Sequence, residues 1–278
     1  MIVDTHLHLI DQAVLRYPWL AGVPALNRDF PYDEYAADAR RCGIEAVLHM
    51  EVDVDPADIA AETTYVKSLA GKPGSLLKGA IASCRPEEAG FEAYLETVKG
   101  DPFVKGFRRV LHVVPDDLSE GATFRQNLKR LAGTGLTFDL VVLPHQIPKA
   151  IALADIAPDV QFVLDHCGVP DIKANAEHPW REHMEAIARR PNVVAKISGV
   201  VAYADPAMWT VDTLKPYVEH TIGSFGWDRV IWGSDWPVCT LGGGLTTWVA
   251  ATQALLAGAS ESERARLLSG NARRLWRL

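Results

Sequence analysis

Short apolar segments alternate with amphipathic ones along the whole 278-residue chain. Most of the apolar segments are rich in β-branched and aliphatic residues, which is typical of strands buried on both faces. We predict eight strands: Met1–His8, Ile44–Val52, Leu76–Ala82, Phe103–Leu111, Leu136–Val142, Val160–His166, Val193–Gly199 and Arg229–Asp235.

The segments between these strands have the spacing of amphipathic helices, and several carry proline near the first turn, where it is tolerated. We predict eight helices: Asp33–Cys42, Pro56–Leu69, Pro86–Val98, Phe124–Leu131, Pro148–Ala157, Pro179–Ala188, Ala207–Ile222 and Thr246–Ala257. A capping box from Ser260 to Glu263 begins a further helix. Gly270 is expected to end it, and Asn271 to cap the last helix.

This strict alternation predicts a (β/α)8 TIM barrel rather than an open sheet, with residues 1–278 as a single domain. No linker or low-complexity segment divides the chain. The longest irregular stretch, His8–Pro31, follows the first strand. We therefore expect it to overhang the mouth of the barrel and to contribute to function.

Composition and charge narrow the class of protein. The net charge of −7 argues against nucleic acid or an anionic membrane as the main partner. A small-molecule substrate is therefore expected, and association into a homo-oligomer stays open. The four cysteines form no CxxC pair, and the start of the chain does not have the pattern of a signal peptide. These features favour a reduced cytoplasmic protein without a zinc-thiolate site or a membrane span.

Candidate catalytic residues lie at the ends of three predicted strands, where barrel enzymes place their sites. His6 and His8 are two residues apart and so share one face of the first strand. Asp235 ends the eighth strand, beside the first in a closed barrel, and could take a proton from a water held there. His166 ends the sixth strand, and Asp165 is interpreted as its orienting partner or a helix cap. Each residue alone could equally be structural; their shared location favours a site.

A second group of polar and aromatic residues could bind the substrate. Side-chain alternation sends either Arg108 or Arg109 inward, where it could bind a carboxylate or carbonyl oxygen. The other candidates are Glu51, Asp139 and Lys196 near strand ends and Trp19, Tyr203 and Trp236 as apolar walls. His49 is expected to lie deeper than Glu51, and Ser198 shares a face with Lys196. The alternatives are a core ion pair for Lys196 and core packing for the aromatic residues.

Six segments, in order along nearly the whole chain, resemble the amidohydrolase superfamily: VDTHLHL, VKGFRRVLH, FDLVVLPHQI, FVLDHCGVP, VVAKISGV and VIWGSDWPV. The resemblance is closest to its lactonases for 2-pyrone-4,6-dicarboxylate and sugar-acid lactones. It implies a distorted barrel and favours Arg108 as the inward arginine. It further implies that Asp235 deprotonates the attacking water and that His6, His8 and His166 polarise the scissile carbonyl, whose oxygen becomes negative during the reaction.

The resemblance also bears on metal. Binuclear members carry a carboxylated lysine at the end of strand four or five. Here Lys105 comes too early in strand four, while strand five offers only Asp139 and then His145. We therefore expect no binuclear centre. A single zinc-like ion held by His6, His8 and Asp235 and a metal-free site both stay open.

A sugar-acid lactone, such as a fuconolactone, rhamnonolactone or galactonolactone, is the expected substrate. The pyrone dicarboxylate would require several arginines converging on two carboxylates, and only Arg108 and Arg109 are available near strand ends. A zinc-dependent decarboxylase of an unsaturated or aromatic acid is the enzymatic alternative. A barrel that only binds ligands would be expected to have lost some of the four candidate catalytic residues.

Overall fold

The computed structural model describes residues 1–278 as a barrel of eight parallel strands that neighbour one another in chain order. The strands are β1 (Ile2–Leu7), β2 (Ile44–Met50), β3 (Leu77–Ser83), β4 (Val104–Val110), β5 (Thr137–Val141), β6 (Gln161–Leu164), β7 (Val193–Ile197) and β8 (Val230–Trp232). Each overlaps one predicted strand, so the predicted TIM barrel is confirmed. The last strands are shorter than expected, because the chain turns away from the sheet before His166 and before Asp235.

The helices follow the strands around the outside of the barrel. They are α1 (Tyr32–Arg41), α2 (Ile59–Ala70), α3 (Phe91–Val98), α4 (Ala122–Lys129), α5 (Ile147–Ile156), α6 (Trp180–Ala188), α7 (Val211–Phe225), α8 (Leu245–Leu255), α9 (Glu261–Ala265) and α10 (Asn271–Trp276). Helix α7 begins later than predicted because the Thr210 side chain accepts a hydrogen bond from the Thr213 amide and caps it there. None of the helices combines the length and hydropathy that crossing a membrane requires.

The prediction for the C-terminal end is wrong in one respect. Gly270 does not end the helix, because a π-helical turn over Arg266–Gly270 joins α9 to α10. Asn271 has helical backbone angles and does not act as a cap. Its side-chain amide instead donates to the carbonyl oxygens of Trp227 and Val230, both at 2.7 Å. These bonds hold α10 against the end of the barrel opposite to the strand carboxyl ends.

The barrel closes where the segment after β8 meets β1. The amide of Asp235 donates to the carbonyl oxygen of His6 at 2.8 Å, and the amide of His8 donates to that of Trp236 at 2.7 Å. Below them, the Thr5 hydroxyl donates to the carbonyl oxygen of Trp232 at 2.8 Å. The segment after β8 is therefore joined directly to His6 of β1 and to His8, which follows β1.

Candidate active site

Three of the predicted catalytic residues meet at the point of closure. The Nε2 atoms of His6 and His8 lie 3.1 Å apart. Oδ1 of Asp235 lies 3.5 Å from the first and 3.3 Å from the second. All three side chains are buried. The structure thus brings one carboxylate and two imidazoles to a single point at the carboxyl ends of the strands.

Asp4 holds this arrangement from below and was not predicted. Its Oδ1 accepts hydrogen bonds from the amides of His6 at 3.0 Å and Ser234 at 2.7 Å, and its Oδ2 accepts one from the Tyr35 hydroxyl at 2.7 Å. One carboxylate therefore ties β1 to the loop that carries Asp235. The sequence spacing could have indicated this role, because Asp4, His6 and His8 alternate along the chain and so share one face of the first strand.

His166 reaches the site from a turn rather than from a strand. Strand β6 ends at Leu164, and His166 and the three residues after it all have positive φ angles. Its Nδ1 lies 3.0 Å from Oγ of Ser198 and 3.8 Å from Oδ2 of Asp235. The fourth predicted catalytic residue is thus beside the other three, although the strand prediction for it was too long.

The interpretation of Asp165 as the partner that orients His166 is wrong. The hydroxyl of Ser198 fills that position. Oδ1 of Asp165 instead lies 2.8 Å from the Lys196 ammonium and 3.5 Å from Nδ1 of His6. All of these side chains are fully buried, and Asp165 lies against the first-strand histidine and neutralises a buried cation.

Arg108 is the inward-facing arginine of β4. Its Nε donates to Oε1 of Glu51 at 2.6 Å, and one terminal nitrogen donates to the Glu51 carbonyl oxygen at 2.8 Å. The other terminal nitrogen lies 3.2 Å from Nε2 of His6 and 3.3 Å from Oδ2 of Asp165. Arg109 points away and donates to Glu87 at 2.8 Å. The guanidinium is therefore fixed beside His6 at the point of closure.

Lys196, Glu51 and Asp139 do not line the cavity, so their prediction as substrate-binding residues is corrected. The Lys196 ammonium is fully buried, 2.7 Å from Oδ2 of Asp139 and 3.3 Å from Nδ1 of His6. Glu51 is 1 % exposed and engaged with Arg108. These three residues form an ion-pair layer beneath the floor of the site, which is the core-pair alternative considered for Lys196.

Burial and this layer determine the charge of the site. Burial holds the pKa of His6 well below its usual value and also lowers the pKa of His166, so both rings are neutral near pH 7. Burial acts against ionisation of Asp165, but the nearby Lys196 ammonium and His6 bring its pKa well below the usual range. Burial raises the pKa of Asp139 to about 7, against the effect of Lys196. The neutral rings of His6 and His166 therefore lie on the cavity side of the buried ion pairs.

A cavity of about 390 Å³ opens above these residues. The predicted residues that line it are His8, Trp19, Arg108, His166, Tyr203 and Asp235. The indole of Trp19 is fixed on the wall because its Nε1 donates to the Val52 carbonyl oxygen at 2.8 Å. Asp53 and His112 also line the cavity and were not predicted, although His112 ends the VKGFRRVLH segment.

Trp236 does not line the cavity, so its prediction as a substrate wall is corrected. Its ring packs in the core, 5.4 Å from the ring of Phe30 and 5.5 Å from that of Tyr35. Only 3 % of the residue is exposed. The tryptophan therefore anchors the first loop to α1, which is the core alternative for an aromatic residue at this position.

The residues at the point of closure fit a divalent metal ion. Nδ1 of His8 lies 3.0 Å from the Met50 carbonyl oxygen, which can only accept a hydrogen bond, so Nε2 is left with a free lone pair. Ligand atoms of a tetrahedral zinc lie about 3.3 Å apart, given bond lengths of about 2.0–2.1 Å. The measured separations between the ligand atoms of His6, His8 and Asp235 are 3.1–3.5 Å.

A second group of possible ligands, His6, Asp165 and His166, is already engaged with a cation of the protein itself. The Lys196 ammonium is within 3.3 Å of both His6 and Asp165. No side chain here resembles a carboxylated bridging lysine, since Lys196 is held as an ammonium by two carboxylates. The residues therefore fit one ion at most.

Comparison with known proteins identifies the family of this chain. A family model described as Amidohydrolase matches residues 3–278. The chain belongs to the amidohydrolase family. This amidohydrolase is 31 % identical to an uncharacterized protein, y4mH, of Sinorhizobium fredii, over 100 % of this chain and 98 % of that one. It is 27 % identical to an L-fucono-1,5-lactonase of Burkholderia ambifaria, over 99 % of this chain and 95 % of that one.

Among solved structures, an amidohydrolase from Burkholderia multivorans with bound zinc matches this amidohydrolase with a TM-score of 0.90 at 24 % identity. The match covers 100 % of this chain and 99 % of the other. This likeness establishes the fold over the whole length. The family expected from the sequence segments is thus confirmed.

Proposed function

We propose that this amidohydrolase opens a small lactone, specifically a sugar-acid lactone, by attack of water on the lactone carbonyl with Asp235 as the general base. The observation that carries the proposal is the convergence of His6, His8 and Asp235 within 3.5 Å at the floor of the cavity. The similarity to an L-fucono-1,5-lactonase over 99 % of the chain supports the class of substrate.

The chain's own groups account for each proton and charge in the reaction. Asp235 takes a proton from water as the water oxygen bonds to the carbonyl carbon. Negative charge then develops on the carbonyl oxygen, where the fixed Arg108 guanidinium can stabilise it. When the ring C–O bond breaks, Asp235 returns the proton to the leaving alkoxide, and the product is a hydroxy acid.

His166 and the buried ion pairs support these roles. Ser198 and Asp235 hold the neutral ring of His166 beside the floor, where it can hydrogen-bond the substrate or the attacking water. A divalent ion held by His6, His8 and Asp235 would act as a Lewis acid toward the carbonyl oxygen. Lys196 and Asp165 keep the ring of His6 in position for either arrangement.

A dicarboxylate such as the pyrone substrate suits the cavity less well. It would need at least two cations facing the ligand, and Arg108 is the only arginine or lysine that lines the cavity. Arg109 is paired with Glu87, and Lys196 is enclosed by carboxylates. The charge distribution thus favours a substrate with a single ester group and no further carboxylates.

The experiment is a screen of sugar-acid lactones with a pH indicator, run on the purified protein with and without a chelator. We expect ring opening with a kcat of about 1–10³ s⁻¹ for the best substrate. Metal analysis of the same preparation separates a metal-dependent from a metal-free enzyme. Carbon dioxide release from an unsaturated or aromatic acid, without lactone opening, would contradict the proposal and support the decarboxylase alternative.

We also propose that the protein works in a reducing compartment such as the cytoplasm. All four cysteines are unpaired, and Cys84, Cys167 and Cys239 are buried. Burial raises the pKa of the Cys167 thiol to about 12, so this group is inert toward oxidation at neutral pH. Titration of the unfolded protein should find four free thiols, and a disulfide would contradict this assignment.

A further inference from the structure

One side of the cavity wall consists of apolar side chains. Ile10, Val23 and Leu26 come from the loop after β1, Val52 follows β2, and Val238 and Leu241 follow β8. Because β8 closes on β1 and β1 pairs with β2, these six residues form one continuous surface, which we call the apolar arc. Trp19 lies among them, and its indole nitrogen is already bonded to Val52.

Most polar groups of the cavity lie outside the apolar arc, although Asp53 directly follows Val52. Three further apolar residues, Val110, Val113 and Val141, line the cavity at the ends of β4 and β5. The floor carries His8, Arg108, His166 and Asp235, all of which the proposed reaction uses. Beyond these, the only polar side chains on the lining are those of Asp53, His112 and Tyr203, which lie after β2, β4 and β7. No serine, threonine, asparagine, glutamine, glutamate or lysine lines the cavity. The site therefore offers few partners for hydroxyl groups, and the apolar arc contributes no side-chain hydrogen-bonding group.

We infer that the substrate is a lactone carrying an apolar exocyclic substituent, which packs on the apolar arc while the ester faces the floor. This inference rests on the proposed lactonase function. A hydroxyl pressed against the arc would lose its hydrogen bonds to water without replacement, whereas an alkyl group would gain by leaving water. Among sugar-acid lactones, the arc therefore selects those whose exocyclic carbon lacks a hydroxyl.

Two sets of lactones test this inference with the wild-type enzyme. The first is a series of δ-lactones with hydrogen, methyl, propyl or pentyl on the carbon that carries the ring oxygen. We expect kcat/KM to rise by at least about tenfold from hydrogen to pentyl, since even one methylene that fits an apolar pocket can be worth that much. The second is the pair L-fucono- and L-galactono-1,5-lactone, which differ only by CH3 or CH2OH. We expect about tenfold preference for the methyl compound.

Substitutions on the arc provide the matching test in the protein. Val23→Thr combined with Val238→Thr adds two hydroxyls at constant volume, and both residues are only partly buried, so the fold is retained. We expect the advantage of pentyl over hydrogen to shrink at least about fivefold. Val14→Thr is the control, because Val14 lies in the same loop, is 53 % exposed and does not line the cavity.

The outcomes separate the inference from the function beneath it. If neither these lactones nor any sugar-acid lactone of the screen is opened, the proposed function fails and the inference fails with it. If only other sugar-acid lactones are opened, the inference alone fails. If lactones are opened but unsubstituted or fully hydroxylated ones react as fast as the alkyl compounds, the apolar arc does not select the substrate. The inference is then overturned while the lactonase function stands.

Discussion

At the scale of single residues, the site depends on buried charged side chains, most of which do not line the cavity. Lys196 contacts Asp139, Asp165 and His6 within 3.3 Å, and Arg108 contacts Glu51 and His6 in the same range. Buried charges of this kind are tolerated only in pairs. Their geometry fixes the ring of His6, which in turn sets the position of the group at the point of closure.

Removal of the buried ammonium tests this dependence. Lys196→Met leaves Asp139 and Asp165 without their shared cation, so we expect the free energy of unfolding to fall by about 3–5 kcal/mol. Urea denaturation at pH 7 measures the change. Lys215→Met is the control, since its ion pair with Glu219 spans 3.7 Å between half-exposed side chains and should contribute less than about 1 kcal/mol. Equal stability of the two variants would contradict the account of the ion-pair layer.

The protonation of His112 gives a prediction in pH. Burial, together with the nearby Arg108, lowers the pKa of His112 from 6.5 to about 4. Between these two values the unfolded chain binds a proton at this position and the folded chain does not, so acidification destabilises the fold. Between pH 7 and pH 5, the free energy of unfolding should fall by about 2 kcal/mol more for the wild type than for His112→Gln. An equal fall in the free energy of unfolding of the two proteins would show that the folded protein does not hold the ring of His112 neutral.

At the scale of elements, the chemistry lies in the turns just beyond the strand ends. Asp235 and His166 both have positive φ angles, as does Gly199 after β7. A Cβ on Gly199 would lie 2.4 Å from Oδ2 of Asp235 and 2.8 Å from Nδ1 of His166. Only glycine can occupy this position, because both the backbone angle and the close approach exclude a side chain.

Substitution of this glycine separates crowding from backbone strain. Gly199→Ala should displace Asp235 and His166 and lower kcat for lactone opening by at least about tenfold, because small displacements of catalytic groups are costly. Gly43→Ala is the control, since Gly43 follows α1 with a φ of 74° and a Cβ added there would meet no heavy atom within 4 Å. It should lower stability by about 1–2 kcal/mol with kcat unchanged. Equal kcat values for the two variants would contradict the placement of Gly199 against Asp235.

At the scale of the whole molecule, the barrel itself could be predicted from the sequence. Strands buried on both faces leave strong apolar runs, and eight such runs alternating with helices leave few other architectures. Closure of the barrel then placed Asp235 beside His6 and His8, as the measured separations bear out. These features depend on local pattern and on topology, both of which a sequence carries.

Features that depend on tertiary contacts could not be predicted in the same way. The residues around His166 continue an apolar run, yet the chain leaves the strand at Leu164 and turns so that the ring meets Ser198. Trp236 has the same local signal whether it forms a wall or packs in the core against Phe30. The apolar arc combines loops more than 200 residues apart, so no local pattern indicates it.

The most direct test of the central claim is the kcat of Asp235→Asn with the best lactone from the screen. Asparagine keeps the shape of the side chain but is not a base at neutral pH, so we expect a loss of at least about 10²-fold. Thermal unfolding of the same sample shows that the fold is retained. Turnover close to that of wild type would mean that the carboxylate beside His6 and His8 does not activate water.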